Sequence, residues 1–145
     1  FRRVLFRSKG YIFSKEFQDE RAPQNIQNLV LRDYCKKNNY NFILSSTEYI
    51  FAENALVLSS LVSDLKKIDG IIFYSIFQLP ENQKLREKII KKVISKKKQM
   101  HFVLESFILK DKNDINYLDT IWKLKTTLKK LDKADYTQLK KFSYA

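Results

Sequence analysis

The sequence predicts an α/β domain: a three-layer sandwich around a mainly parallel sheet of four strands, with room for a fifth. Two observations predict it. Short apolar runs alternate with segments of helical period, in the order β-α-β-α-β-α-β-α. The runs are also apolar on both faces, the pattern of strands covered by helices on each side. At 145 residues there is length for one buried core and not for two ordinary domains.

Residues 10–14, Gly-Tyr-Ile-Phe-Ser, form the first apolar run. A polar loop follows, and Pro23 stands where a first helical turn begins, a place where its missing N–H costs nothing. Ile26, Leu29, Val30 and Tyr34 then recur at helical spacing until Asn38 and Asn39 stop the helix. Residues 41–45 read as the second strand, followed by a loop through Glu48 and Tyr49. A second helix is expected from near Asn54, with Leu58, Leu61, Val62 and Leu65 on one face.

Asp69-Gly70 signals a turn into the strand at residues 71–74. The third helix sets Leu85, Ile89, Ile90, Val93 and Ile94 against Lys88, Lys91 and Lys92. Residues 101–105 give the fourth strand. The fourth helix starts near Asn113 or Asp114 and uses Ile115, Leu118, Ile121, Trp122 and Leu128. The expected organisation is one domain over residues 9–131, with residues 132–145 as an extension of unassigned structure. Residues 1–8 are set aside as non-native, because Arg3 to Ser8 back-translate to the end of a common sequencing adapter.

The formal charge is +12, but 22 of the 28 basic residues are lysines spread over three helical stretches. That is the bias of an AT-rich genome, and it ranks nucleic-acid binding below other readings. One cysteine, Cys35, excludes an internal disulfide, and with the single histidine, His101, it offers no metal-ligand spacing. Gly10 and Gly70 are the only glycines, so no glycine-rich phosphate loop exists. No apolar run nears the roughly 18 residues of a membrane span. A cytoplasmic protein with no metal, no cofactor and no membrane partner is expected, and its oligomeric state is left open.

In an open parallel sheet, ligands bind outside the carboxyl ends of the strands. Ser14 and Lys15, then Ser45, Ser46, Thr47 and Glu48, then Ser75, Phe77 and Gln78, and finally Glu105 and Ser106 fall there. Glu48 and Glu105 are the candidate proton-transfer pair, each at a strand-to-loop junction. The alternative for both is a solvated or helix-capping acid.

The chain resembles two families. The order of elements is that of the serine recombinase (resolvase and invertase) catalytic domain, and residues 24–40 and 69–74 are similar to its first helix and third strand. Its Tyr-x-Arg-x-Ser start stands here as Tyr11-Ile12-Phe13-Ser14, and its Asp-Arg-Leu-x-Arg segment as Phe77-Gln78-Leu79-Pro80-Glu81. The arginines needed at a scissile phosphate are absent, so this resemblance implies a flavodoxin-like or resolvase-like fold and no recombinase chemistry.

A closer resemblance, over most of residues 10–122, is to the sporadic carbohydrate cluster proteins of bacterial surface-polysaccharide and modified-sugar gene clusters. It rests on residues 10–14, 21–24, 27–35, 44–49, 69–80, 101–105 and 119–122. It implies a sugar or nucleotide-sugar ligand held by Ser14, Arg21, Gln24, Gln27, Asn28, Ser45, Tyr49, Ser75 and Gln78, with Glu48 or Glu105 moving a proton. Amides and carboxylates suit hydroxyls, an aromatic face suits a ring, and an arginine suits a phosphate. The alternatives are a non-catalytic scaffold for another enzyme of the same cluster and, third, a resolvase-like nucleic-acid binder without recombinase activity.

Overall fold

The computed structural model describes residues 5–14, 22–49 and 55–142. Five strands form one sheet in the order β2-β1-β3-β4-β5. They are β1 (Arg7–Phe13), β2 (Asn41–Glu48), β3 (Gly70–Phe73), β4 (Gln99–Phe102) and β5 (Phe107–Leu109). The first four are parallel, and β5 returns antiparallel beside β4. The helices are α1 (Gln24–Lys37), α2 (Leu56–Ser63), α3 (Gln83–Ser95) and α4 (Lys112–Phe142). This is the expected mainly parallel α/β sheet, in its five-stranded form.

Alternate residues of the central strands feed two cores. Ile12 and Ile72 point to α1, where they pack with Leu31 and Cys35. On the other face Tyr11 meets Phe73 at 5.3 Å between ring centroids, and Phe73 stacks on Phe102 at 5.0 Å. Offset and tilted pairs at these distances add to the area they bury. Gly10 lets β2 come close, since a Cβ there would stand 2.8 Å from Ser45 Oγ and 2.9 Å from the Phe42 ring.

The boundaries differ from the sequence pattern in several places. β1 begins at Arg7, so it takes in residues 7 and 8 of the segment set aside. Ser8 is fully buried, with its hydroxyl donating to Asn41 O at 3.0 Å and lying 3.3 Å from Cys35 Sγ. Arg7 pairs with Asp69 at 3.2 Å and holds its carboxyl below the usual range. β2 runs on to Glu48, so Ser45, Ser46, Thr47 and Glu48 lie on the strand and not beyond it. Their polarity hides a strand that β1 holds by a parallel ladder out to the Phe13–Glu48 pair.

Helix α2 opens at Leu56, and Asn54 lies outside the described residues. β4 ends at Phe102, which places Glu105 in the turn between β4 and β5. The chain divides into two compact units, residues 1–112 and 113–145. In the second, α4 continues without a break through the expected boundary at 131/132 as far as Phe142. No described helix is long and apolar enough to cross a membrane.

His101, in the middle of β4, is fully buried. Its Nε2 faces Gln99 Oε1 at 2.8 Å, and its Nδ1 faces the Tyr34 hydroxyl at 2.7 Å. An amide oxygen only accepts, so Nε2 carries the proton and Nδ1 accepts from Tyr34. Burial pushes the imidazole down to about 4 and the Tyr34 phenol up to about 12. In the unfolded chain the histidine takes its proton near pH 6.5, whereas the folded chain resists until about pH 4. Stability is therefore full above pH 6.5 and falls as the pH drops through that window, by about 3 kcal/mol from this group. Urea titrations at pH 7 and pH 4.5 will show the loss, and a His101→Gln variant will lack this component of it.

Candidate functional site

The strand order reverses between β1 and β3, because α1 leads from β1 to one side of the sheet and α2 leads back to the other. Doubly wound domains open a crevice outside the carboxyl ends at such a point. Here two buried glutamines span it. Gln27 of α1 accepts at Oε1 from Phe13 N (3.0 Å), and its Nε2 donates to Phe13 O (2.9 Å) and Ala22 O (2.7 Å). Gln78, in the 3-10 turn Ile76–Gln78, donates from Nε2 to Gln27 Oε1 (2.8 Å) and accepts from Tyr74 N (3.0 Å). Both side chains are fully buried. The end of β1 and the segment after β3 are thus joined through two side-chain amides, and both donors and both lone pairs of Gln27 are used.

Glu48 closes β2 and is 3 % exposed. Its carboxylate accepts from the Tyr11 hydroxyl (2.8 Å) and from Val57 N and Leu58 N (3.2 Å each). It serves the first turn of α2, where backbone N–H groups have no partner within the helix. Burial first, and then the neighbouring Glu48, raise the Tyr11 phenol far above its ordinary range. The Ser14 hydroxyl and amide both donate to Glu48 O, at 3.1 and 3.0 Å. Ser45 Oγ is bonded to Asn28 Oδ1.

Glu105 is held differently. Its Oε1 accepts from the buried Ser75 hydroxyl (2.6 Å) and from Ile76 N (3.1 Å). Its Oε2 is buried and, among the described residues, has no hydrogen-bond partner. A buried acceptor left open in this way costs free energy that an incoming donor would recover.

The two carboxylates therefore do not meet. β2 and β4 are separated by β1 and β3, about 14 Å at the usual strand spacing. Carboxyl pairs that act together on a glycosidic bond stand about 5–9.5 Å apart. Glu48 is bound to Tyr11 and α2, and Glu105 to the turn after β3, with no partner in common.

Of the other predicted site residues, Gln24 is exposed at the start of α1 and Tyr49 is exposed just past β2. Arg21 lies outside the described residues. Ser14, Ser75, Gln27 and Gln78 gather at the ends of β1 and β3, while Asn28 and Ser45 form a separate pair beside β2. Sequence reasoning passed over Tyr11, whose hydroxyl fixes Glu48, and Arg86, whose Nη1 donates to Pro80 O (3.0 Å) and Glu81 O (3.1 Å). A tyrosine in an apolar strand and an arginine in a lysine-rich helix carry no signal that separates them from their neighbours.

Two described grooves lie elsewhere. One of about 630 Å³ is lined by Leu29, Val30, Tyr34, Val103, Ser106 and Ile108, together with Asp33 and Lys37. Another of about 460 Å³ runs along α2 beside Ile43, Ser46 and Leu56. Neither contains the glutamine pair or Glu105. Among the described residues no three His, Cys, Asp or Glu side chains gather where they could hold a metal ion.

The chain is similar in structure to the N-terminal catalytic domain of TP901-1 integrase, with a TM-score of 0.64 and 17% identity over 87% of this chain and 98% of that one. At that identity the likeness shows the fold alone, a resolvase-like one. No protein-family model matches the chain, and no curated protein does.

Replacing Gln27 by leucine keeps the volume and removes the pairing. Phe13 N and O, Ala22 O and Gln78 Nε2 lose a partner, so Gln27→Leu should lose about 3–5 kcal/mol in urea denaturation. Gln24→Ala, at an exposed site, should stay within about 0.5 kcal/mol of the parent. A loss below about 1 kcal/mol for Gln27→Leu would show that the pair is dispensable to the fold.

Proposed function

We propose that this chain is a cytoplasmic protein of bacterial surface-polysaccharide or modified-sugar biosynthesis that binds a sugar or nucleotide-sugar outside the ends of β1, β3 and β4. The observation that carries the reading is Glu105. One carboxylate oxygen is fixed by Ser75 and Ile76 N, and the other is buried with no partner among the described residues. A carboxylate held this way suits a sugar hydroxyl, which donates one short, charge-assisted bond.

The resemblance to the sporadic carbohydrate cluster proteins supports the same place. Its matching segments are scattered along the sequence, yet they supply every member of the glutamine pairing and of the Glu105–Ser75 contact: Phe13, Ala22, Gln27, Tyr74, Ser75, Ile76, Gln78 and Glu105. In this reading Gln27 and Gln78 position the rim, since their polar atoms are occupied. The Ser14 hydroxyl is given to Glu48 O and Tyr49 lies past the edge strand β2, so neither adds a ligand contact beside Glu105. In a catalytic form, Glu105 is the proton-transfer group and Glu48 holds α2.

Recombinase-type strand cleavage is not part of this reading. Ser14 donates to Glu48 O, and the described arginines are engaged elsewhere: Arg7 on Asp69, Arg32 over the Phe42 ring at 5.9 Å, and Arg86 on Pro80 O and Glu81 O. A developing phosphorane charge would find no cation among them.

Calorimetric titration against a panel of nucleotide-sugars and free sugars tests the proposal. Binding of at least one is expected, weakened about 10- to 100-fold by Glu105→Gln, which keeps the Ser75 bond and turns the open acceptor into a donor. Failure of the parent protein to bind any of them would overturn the reading. Binding that Glu105→Gln leaves unchanged would remove Glu105 from it.

A further inference from the structure

Strand β1 has neighbours on both sides, yet it carries a lysine on one of its covered faces. Lys9 alternates with Tyr11 and Phe13, so its side chain leaves the sheet on the side of the Tyr11–Phe73 core. It is half-buried there. Lysines are seldom buried without a partner, because a charge taken from water costs free energy that only a counter-charge offsets. Among the described residues the Lys9 ammonium has no ion pair and no hydrogen bond.

Lys9 opens into the groove of about 460 Å³ beside α2. Apart from Ser46 and Ser60, the wall is aliphatic: Ile43 of β2, Leu56, Val57 and Leu61 of α2, and Ile68 before β3. Ile43 and Leu56 are 42% and 64% exposed. Charge gathers at one end. Helix α2 opens at the carboxyl ends of the strands, where Val57 N and Leu58 N donate to Glu48. It runs down to the amino ends, where Asp64 and Lys67 lie between α2 and β3 and Lys9 stands level with Ile71. Neither Asp64 nor Lys67 belongs to an ion pair among the described residues.

We propose that this groove binds a long-chain carboxylate, a fatty-acid-like ligand, with its chain along α2 and its head between Lys9 and Lys67. The volume lies within the roughly 300–1,000 Å³ of small-molecule sites. Two ammonium groups against the carboxylate of Asp64 leave one positive charge at that end, the complement of a single carboxylate. A phosphate monoester carries about two negative charges at pH 7 and would meet Asp64 with one in excess. A bare sugar would leave the aliphatic wall uncovered. The groove is separate from Glu105 and the glutamine pair, so the inference does not depend on what the crevice binds.

Calorimetric titration of the full chain at pH 7 with dodecanoate, below its micelle threshold, should give saturable one-to-one binding with a Kd of about 10–100 µM. Dodecanol has the chain without the charge and acetate the charge without the chain, and each should bind at least about 10-fold more weakly. Lys9→Met keeps the stem and removes the charge, and Lys67→Gln neutralises an exposed position. Each should weaken dodecanoate binding about 10-fold. Lys91→Gln, an equal loss of charge at an exposed site on α3, should leave the Kd unchanged. Urea midpoints at pH 7 report whether each variant is folded, and the exposed Lys67→Gln carries the test if Lys9→Met is not. Unsaturable binding of many molecules, or equal weakening by Lys91→Gln, would show attraction to net charge alone and sink the proposal. So would an unchanged Kd in the folded groove variants. Equal binding of dodecanol would remove the head site, and tighter binding of dodecyl phosphate would displace the carboxylate, either of which overturns the assignment.

Discussion

The pairing of Gln27 with Gln78 is the constraint around which the working end of the domain is arranged. A parallel sheet that changes winding direction between two adjacent strands leaves the ends of those strands uncovered by either connecting helix. Backbone groups there need partners, and water is excluded where the chain is packed. Gln27 reaches from α1 to both backbone groups of Phe13 and holds Ala22 O, while Gln78 ties Tyr74 N to the same amide. One side chain with two donors and two lone pairs does what a backbone ladder cannot do across that gap. A buried polar network of this kind is stabilising only when every member is satisfied, and Gln27 is.

With the ends of β1 and β3 tied, the carboxylates take distinct parts. Glu48 sits on the edge strand and spends its oxygens on Tyr11 and on the opening amides of α2, so it anchors a helix. Glu105 sits in the turn after β4 and spends one oxygen on the turn after β3. What separates them is hydrogen bonding and strand order: Glu48 closes β2 and is buried, whereas Glu105 lies in the turn after β4 and is half-buried. A pair of acids working on one bond would need neighbouring strands, and β1 and β3 stand between these two.

Much of the fold was legible because burial on both faces forces uninterrupted apolar runs, as in Tyr11-Ile12-Phe13 and Ile71-Ile72-Phe73. The misread boundaries have a common physical cause: a ladder needs backbone, not apolar side chains. Ser45, Ser46 and Thr47 extend β2 because β1 lies alongside, and Arg7 begins β1 for the same reason. Conversely, Val103 and Leu104 look like strand but fall in the turn, where Ser106 takes a positive φ of 50° and the chain reverses into β5. The positions of Gln27, Gln78 and Glu105 were legible as rim residues, but their partners were not. Whether an amide faces a ligand or a backbone carbonyl depends on contacts 14 and 51 residues away in sequence.

The likeness to a recombinase domain sharpens what a shared sheet does and does not carry over. Phosphoryl transfer asks for cations aimed at the equatorial oxygens and a hydroxyl free to attack. In this chain the hydroxyl that follows β1, Ser14, is committed to Glu48 O, and the segment after β3 carries Gln78 turned inward where that chemistry would need positive charge. The nearby Arg86 points to Pro80 O and Glu81 O and so shapes the loop. In this chain each of these groups is spent on a bond within the protein. The polar groups at the ends of β1 and β3 are thus spent on the fold, while Glu105 Oε2 remains a buried acceptor with no partner among the described residues.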